Sequence, residues 1–191
     1  MRHLRSSLLV IAAFIVAAAA ETPIDVEHST IRIHVGKAGL FSAAGHEHWV
    51  NAPIAEGSLE ETPPHISFRV EARKLQVEED KSLSAEKQAE VQHTMQTQVL
   101  ESEKFPDISF RSTSIQETSA NNWEVRGDLT LHGKTQPVTA KVQKQQSAYT
   151  GRCQFKQTDF GIPPVRVAGG IVKVKDQLDI EFSVVPARVP N

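Results

Sequence analysis

Residues 105–142 alternate apolar and polar side chains with a period of two, and this pattern constrains the fold more than any other feature of the chain. Three runs within it each place their apolar residues on one face: Ile108 and Phe110, then Trp123, Val125, Leu129 and Leu131, then Val138, Ala140 and Val142. Because successive side chains of a strand point to opposite faces, the pattern predicts three strands with one dry face. Gly133 and Lys134 leave no room for a long crossover, so we expect an antiparallel meander.

The first 20 residues have the features of a secretory signal peptide. Arg2 and Arg5 precede an apolar run over 8–20. That run is shorter than the roughly 20 residues that span a bilayer, and it ends on small residues, as a cleavage site does. We therefore expect residues 1–20 to be removed and 21–191 to form one domain, periplasmic or secreted, with no stable membrane anchor. An uncleaved N-terminal anchor is the alternative.

The net charge limits the classes of partner that we expect, and the cysteine content limits the possible disulfides. The formal charge of −2 becomes −4 when Arg2 and Arg5 are removed. This balance gives no reason to expect nucleic acid or an anionic membrane surface as a partner. Cys153 is the only cysteine, so no intrachain disulfide can form. It shares its parity with Tyr149 and Phe155, which predicts a buried packing cysteine, with a redox or intermolecular role as the alternative.

Further strands are expected on both sides of the central meander. They cover residues 29–35, 48–59, 65–72, 149–160, 171–174 and 177–185. We expect the second to bend near Pro53 or Gly57, because proline cannot donate to a strand ladder. An exposed edge along 48–59 would offer a site for pairing in a homodimer.

One helix is predicted between Ser84 and Ser102. This stretch has no glycine or proline, and Val91, Met95 and Val99 recur every four residues. Ser84 is a suitable N-cap, and the narrow apolar face suits a helix lying over the sheet or over the mouth of a barrel. The predicted fold is therefore all-β: an extended antiparallel eight-stranded lipocalin-like barrel with one helix beside it.

The dry-face residues of such a barrel would line its interior. The predicted lining residues are Ile33, Phe68, Phe110, Trp123, Leu129, Leu131, Phe155 and Phe182. An eight-stranded barrel is just wide enough for side chains to fill it or for one small apolar ligand to occupy it. Both alternatives remain open at the level of sequence.

Catalytic motifs are sparse, and a histidine pair is the one local cluster with chemical interest. The chain contains no G-x-S-x-G, no P-loop and no H-E-x-x-H. His46 and His48 would project from the same face of a strand, and a metal would need a third ligand from elsewhere. The candidates for that ligand are His28, His34 and His132. The alternative is a polar rim of histidines bonded to backbone at one end of the barrel.

Three motifs resemble those of the YceI-like family. They are K-F-P-D-I-S-F at 104–110, G-D-L-T-L-H-G-K-T-Q-P-V at 127–138 and T-D-F-G-I at 158–162. Their order is similar to that in the family, and the resemblance covers nearly all of residues 21–191. It implies a lipocalin-like barrel with a long hydrophobic cavity for a polyisoprenoid chain, such as a quinone tail, in exported and often dimeric proteins.

Three functional hypotheses follow. The first is a non-catalytic carrier or sequestering protein for an apolar lipid, driven by burial of the lipid chain and requiring no cofactor. The second is a periplasmic metal-binding or redox-associated protein that uses the Gly-His-Glu-His element. The third is an enzyme acting on an isoprenoid-like substrate inside the barrel, for which no acid, base or nucleophile set is recognisable.

Overall fold

The computed structural model describes residues 21–38, 47–62, 64–167 and 172–188. The predicted signal peptide and His46 lie outside these residues. In chain order the strands are β1 Thr22–Pro23, β2 Thr30–Val35, β3 Lys37–Ala38, β4 His48–Asn51, β5 Ile54–Glu61, β6 Pro64–Glu71, β7 Gln76–Val77, β8 Asp107–Ser119, β9 Asn122–Leu131, β10 Lys134–Gln145, β11 Ala148–Lys156, β12 Arg166–Val167, β13 Val172–Val174 and β14 Gln177–Val184. The helical elements are α1 Ala85–Thr94, a π-helical turn Met95–Val99, and two 3-10 turns, Ala72–Lys74 and Gln157–Phe160.

The main sheet is antiparallel and curls back on itself. Its strand order is β1-β5-β6-β8-β9-β10-β11-β14-β2-β4-β7. Only Ala52 and Pro53 separate β4 from β5 along the chain, so the two sides of this order meet at one bent strand. The predicted all-β antiparallel fold with one α-helix is confirmed for the described residues. The strand count differs from eight for two reasons: bends divide the long strands at 48–61 and 64–77 into two segments each, and four short strands, β1, β3, β12 and β13, are added.

Each half of the strand at 48–61 has strand partners on both sides. Its first half, β4, is bonded to β2 on one side and β7 on the other. Its second half, β5, is bonded to β1 and β6. The expectation that 48–59 is an exposed edge is therefore wrong, since the strand finds its partners within the chain, and a homodimer stays a prediction.

The central meander forms as its alternation predicts. The turn between β9 and β10 is made by His132 and Gly133, with φ of 52° and 71°. It lies one residue earlier than expected, because Leu131 pairs with Lys134. The β8–β9 register shifts between Ser112 and Ser114, and this keeps Ile115 on the inner face of a long strand.

The strand predicted over 149–160 is too long. It ends at Lys156, and Gln157–Phe160 forms a 3-10 turn whose Gln157 and Phe160 are buried. The Gln157 side chain donates to the carbonyl oxygen of Lys175 at 2.7 Å. Buried side chains can therefore continue an alternating pattern past the point where the strand itself has ended.

The helix covers one end of the barrel. Ser84 caps it, as predicted, by accepting from the backbone N–H of Lys87 at 3.4 Å. This end, which we call the helix end, also carries the turn at 131–134. The opposite end, which we call the hairpin end, carries the paired residues Glu61 and Pro64 and the tips at 119–122 and 145–148.

Three glutamines attach the helix to the barrel. Gln92 accepts from the N–H of Val77 at 2.8 Å and donates to the carbonyl of Leu75 at 2.9 Å. Gln96 donates to the same carbonyl at 3.0 Å, and Gln88 donates to the carbonyl of Glu78 at 2.8 Å. The four-residue spacing places these amides on one helix face, where they satisfy the backbone of edge strand β7.

Candidate binding cavity

A cavity of about 930 Å³ occupies the interior of the barrel. This volume is at the upper end of the roughly 300–1,000 Å³ that ligand pockets span. The inner faces of the long strands form its walls, and the helix closes part of one end. The alternation that predicts the strands also determines which residues face this space.

The structure places all eight predicted lining residues on the cavity wall. They are Ile33, Phe68, Phe110, Trp123, Leu129, Leu131, Phe155 and Phe182. The inner residues of β10, Val138, Ala140 and Val142, join them. That these residues contact a ligand stays a prediction.

The helix contributes its apolar stripe to the same wall. Val91, Met95 and Val99 line the cavity, although a methionine stripe of this kind is more often packed core. The sequence does carry the relevant signal, a narrow apolar face on a helix over a barrel mouth. What it lacks is any measure of the empty space beneath that face.

The inner aromatic side chains are only partly buried. Phe68, Phe110, Phe155 and Phe182 pack against the core and keep part of their surface open. Phe160, by contrast, is 0% exposed and is the one large side chain among the described residues that is fully enclosed. Because the open rings point inward, their exposed surface faces the cavity, and the interior is hollow.

The cavity is long compared with a membrane leaflet. Both Trp123 and Leu131 of β9 line it. Eight residue steps at about 3.3 Å each separate them, roughly 26 Å along the strand and about 20 Å along the axis of a tilted barrel. One leaflet contributes about half of a 30 Å hydrocarbon core, or about 15 Å. A chain that fills the cavity is therefore longer than the depth of one leaflet.

Polar residues lie at the two ends of the cavity. At the hairpin end they are Glu60, Glu61, His65, Asn121 and Lys144, and at the helix end they are Lys37, His48, Lys87, Glu90 and Lys173. Lys87 and Glu90 form an ion pair at 2.6 Å. Ser112 lies between the N–H of Ile66 at 3.0 Å and the His65 ring at 2.9 Å. The arrangement suits an amphiphile whose apolar chain occupies the middle.

Cys153 faces the cavity from β11. It lines the wall and pairs across the sheet with Ala140 and Ile180. Burial raises the pKa of its thiol to about 11, because a thiolate is poorly solvated there. A neutral thiol agrees with the packing role predicted for it.

The histidines proposed as metal ligands do not converge in the described residues. His28 bonds to Asp25 at 2.9 Å, and His132 bonds to Glu101 at 2.6 Å. His34 points outward and lies 3.2 Å from Glu47 and 3.7 Å from Asp179. His48 lines the cavity.

Nor do the described parts of the chain hold a group of three metal-ligating side chains. His46, the other half of the proposed pair, lies outside the described residues, so the Gly-His-Glu-His hypothesis has no support here. Within the described ranges from 21 to 188, no helix is long and apolar enough to cross a bilayer.

The fold and the cavity define a class of protein: a curled, lipocalin-like antiparallel barrel with a hollow apolar interior. The YceI-like domain model matches residues 23–185, and the chain therefore belongs to the YceI-like family. This confirms the resemblance drawn from the three motifs.

Relatives and solved structures agree with this assignment. A UPF0312 protein of Pseudomonas putida is 30% identical over 129 residues, which cover 62% of this chain and 64% of that protein. A UPF0312 protein of Vibrio cholerae is 28% identical over 99 residues, covering 47% of this chain and 51% of that protein. The chain thus matches about half to two thirds of the length of these relatives.

Two solved structures share the fold. BcnA of Burkholderia cenocepacia aligns with a TM-score of 0.59 at 16% identity, covering 86% of this chain and 99% of that one. A polyisoprenoid binding domain from Saccharophagus degradans, described as implicated in plant cell wall breakdown, aligns with a TM-score of 0.56 at 10% identity. That alignment covers 89% of this chain and all of the other (100%). At such identities the likeness establishes the fold.

Proposed function

We propose that this protein is an exported, non-catalytic carrier or sequestering protein that holds an apolar chain lipid, of polyisoprenoid or quinone-like type, inside its barrel. The observation that carries the proposal is the ring of half-buried inner aromatic side chains around a cavity of about 930 Å³. Exposed apolar surface inside a barrel is costly unless something apolar covers it.

The energetics favour a long chain over a polar ligand. Each buried methylene contributes about 0.8 kcal/mol, so a chain of several isoprene units would be held without any charged contact. The middle of the wall is made of residues such as Leu129, Val138, Ile180 and Phe182, which offer contact but no fixed polar partner. The polar residues at the two ends suit a head group that stays near water.

Length supports a polyisoprenoid over an ordinary acyl chain. A cavity of about 20 Å along its axis exceeds the roughly 15 Å depth of one leaflet, which an acyl chain is matched to fill. The shared fold with a polyisoprenoid binding domain points to the same class of ligand.

Export is part of the proposal. The apolar run at 8–20 and the small residues Ala18 and Ala20 before Glu21 support a cleaved signal peptide and a periplasmic or secreted location. A lipid that must cross an aqueous compartment needs a protein that shields its chain, which fits a carrier outside the cytoplasm.

Lipid extraction and uptake test the proposed function. Organic extracts of the purified protein should contain an isoprenoid lipid by mass spectrometry, and delipidated protein should take up the long-chain polyprenol solanesol. Clean extracts together with no uptake of solanesol would contradict the proposal.

A pair of matched variants separates binding in the lumen from binding on the surface. Ala140 faces the cavity from β10, while its neighbour Thr139 is exposed on the outside. Ala140→Trp should fill the lumen and weaken solanesol uptake by about tenfold or more, given the cost of overpacking. Thr139→Trp adds the same side chain outside and should bind as the unmodified protein does. Equal uptake by both variants would place the lipid elsewhere.

A further inference from the structure

Two glycines occupy inward-facing positions in the wall of this barrel. Gly127 lies on β9 between the wall residues Val125 and Leu129, and Gly151 lies on β11 between Tyr149 and Cys153. Eight-stranded barrels are narrow enough for side chains to fill. A glycine in the wall therefore leaves the cavity wider at that position along the barrel axis.

Each glycine is covered by a phenylalanine ring from a neighbouring strand. A Cβ added to Gly127 would overlap the tip of the Phe110 ring and the carbonyl oxygen of Arg111. A Cβ added to Gly151 would overlap the tip of the Phe182 ring and the carbonyl oxygen of Lys141. Neither glycine has a positive φ, so the reason for glycine at these positions is space and not backbone conformation.

The two rings consequently lie flat against the wall. Phe182 is the direct cross-strand partner of Gly151. Phe110 also stacks on Phe68, with ring centroids 5.4 Å apart and planes at 28°, so its orientation is supported from a second side. If either glycine carried a side chain, the ring above it would turn off the wall and project into the lumen.

We infer that the Gly127–Phe110 and Gly151–Phe182 pairs set the bore of the cavity and thereby its specificity for a slender, flexible chain over a fused-ring lipid. This inference rests on the proposed function and adds to it the residues that select the shape of the ligand. The strands determine the length of the cavity, whereas these two glycine–phenylalanine pairs determine its width.

Gly127→Ala and Gly151→Ala test the inference, with solanesol as the slender probe. Each should weaken solanesol binding by about tenfold, since overpacking of a wall by one methyl group is felt strongly. Gly36→Ala is the matched control, because the nearest atoms that a Cβ there would meet belong to the flexible Lys175 side chain, at 2.9 Å. Gly36 also has the opposite parity to the wall residues Val35 and Lys37, so an added methyl group points away from the lumen. Folded alanine variants at 127 and 151 that bind as tightly as Gly36→Ala would overturn the inference.

Widening variants provide a second test that does not require a crowded wall to fold. Phe110→Ala and Phe182→Ala should retain solanesol binding and gain binding of cholesterol, a fused-ring probe that the unmodified protein excludes. Cholesterol binding by the unmodified protein, or no gain in either variant, would contradict the assigned role. A protein that takes up solanesol but is indifferent to all four substitutions refutes this inference alone, whereas failure of the unmodified protein to take up solanesol refutes the proposed function.

Discussion

Phe160 and Phe68 occupy two different environments, and substitution of each by alanine tells the environments apart. Phe160 is 0% exposed and packs edge-on against Phe155 at 5.1 Å between centroids. Phe68 points into the cavity and is only partly buried. We expect Phe160→Ala to lower the free energy of unfolding by about 3–5 kcal/mol, as for a filled core, and Phe68→Ala to lower it by about 1–2 kcal/mol.

Urea denaturation of delipidated protein measures both values. The difference arises because Phe68 already has open space on one side and loses fewer contacts. Equal costs for the two substitutions would show that the space beside Phe68 is filled.

The pKa of the Cys153 thiol depends on how well water reaches the cavity wall at β11. Its pKa is raised to about 11 by burial. Because the thiolate is the reactive form, alkylation should be slow near neutral pH and should rise only as the pH approaches that value. Alkylation rates by mass spectrometry over a pH series check this, with Cys153→Ser as the unlabelled control. A midpoint near 8.5, as for a free thiol, would show that the wall of β11 is wetter than described.

At the scale of elements, the helix depends on its glutamines more than on a buried face. No residue of α1 is buried, yet Gln92 makes two hydrogen bonds to the backbone of β7 and its flank. Gln92→Ala would leave the N–H of Val77 unpaired, while the Leu75 carbonyl keeps its bond from Gln96, and we expect a loss of about 1–2 kcal/mol in the free energy of unfolding. Hydrogen exchange should then increase at Leu75, at Val77 and along the helix.

Gln98 is the matched control for this substitution. It is exposed within the same helical segment and makes no hydrogen bond that involves β7. Gln98→Ala should change stability by no more than about 0.5 kcal/mol. Similar exchange profiles for the two variants would mean that the apolar stripe alone holds the helix in place.

An ion pair near the helix end links stability to acidic pH. Arg32 of β2 donates two hydrogen bonds to Glu78, at 2.7 and 2.6 Å. These bonds lower the pKa of Glu78 from its ordinary value of 4.5, with desolvation opposing them. Since the folded pKa lies below the unfolded one, the stabilisation is present above pH 4.5 and is lost as pH falls through the folded value.

Glu78→Gln should therefore destabilise the protein most at neutral pH, with the difference shrinking below pH 4.5. Urea denaturation across an acidic pH series measures it, and Glu79→Gln, at the exposed neighbouring position, is the control. If the loss in the free energy of unfolding caused by Glu78→Gln did not change with pH, the loss would come from packing and not from charge.

Sequence predicts the elements of this fold better than their ends. Alternation in β8, β9 and β10 determines both strand and face, because period two allows only one inner set. The pattern predicts β11 four residues too long, since buried Gln157 keeps the inward parity of Cys153 and Phe155 although it already lies in a 3-10 turn. The attachment of Gln88, Gln92 and Gln96 to the barrel was not predicted, because polar residues on a helix read as a solvated face until their partners are known.

For the whole molecule, sequence could predict the direction of the wall residues but not the depth of the space that they enclose. The eight predicted lining residues all reach the cavity, because side-chain direction is a local property of a strand. Whether opposite walls touch depends on barrel shape and on residues such as Gly127 and Gly151, whose effect is visible only with Phe110 and Phe182 in place. Sequence could not predict whether the histidines of 45–48 form a metal site. Such a site needs a third ligand, and whether His28, His34 or His132 lies close enough depends on the tertiary structure.

The barrel encloses a hollow apolar channel, and we propose that this channel holds one lipid chain. A crystal structure of the protein as purified from its own host tests it most directly. We expect continuous, elongated electron density between the level of Met95 at the helix end and the level of Tyr149 at the hairpin end. An interior closed by side chains from opposite walls, with no elongated density, would contradict it.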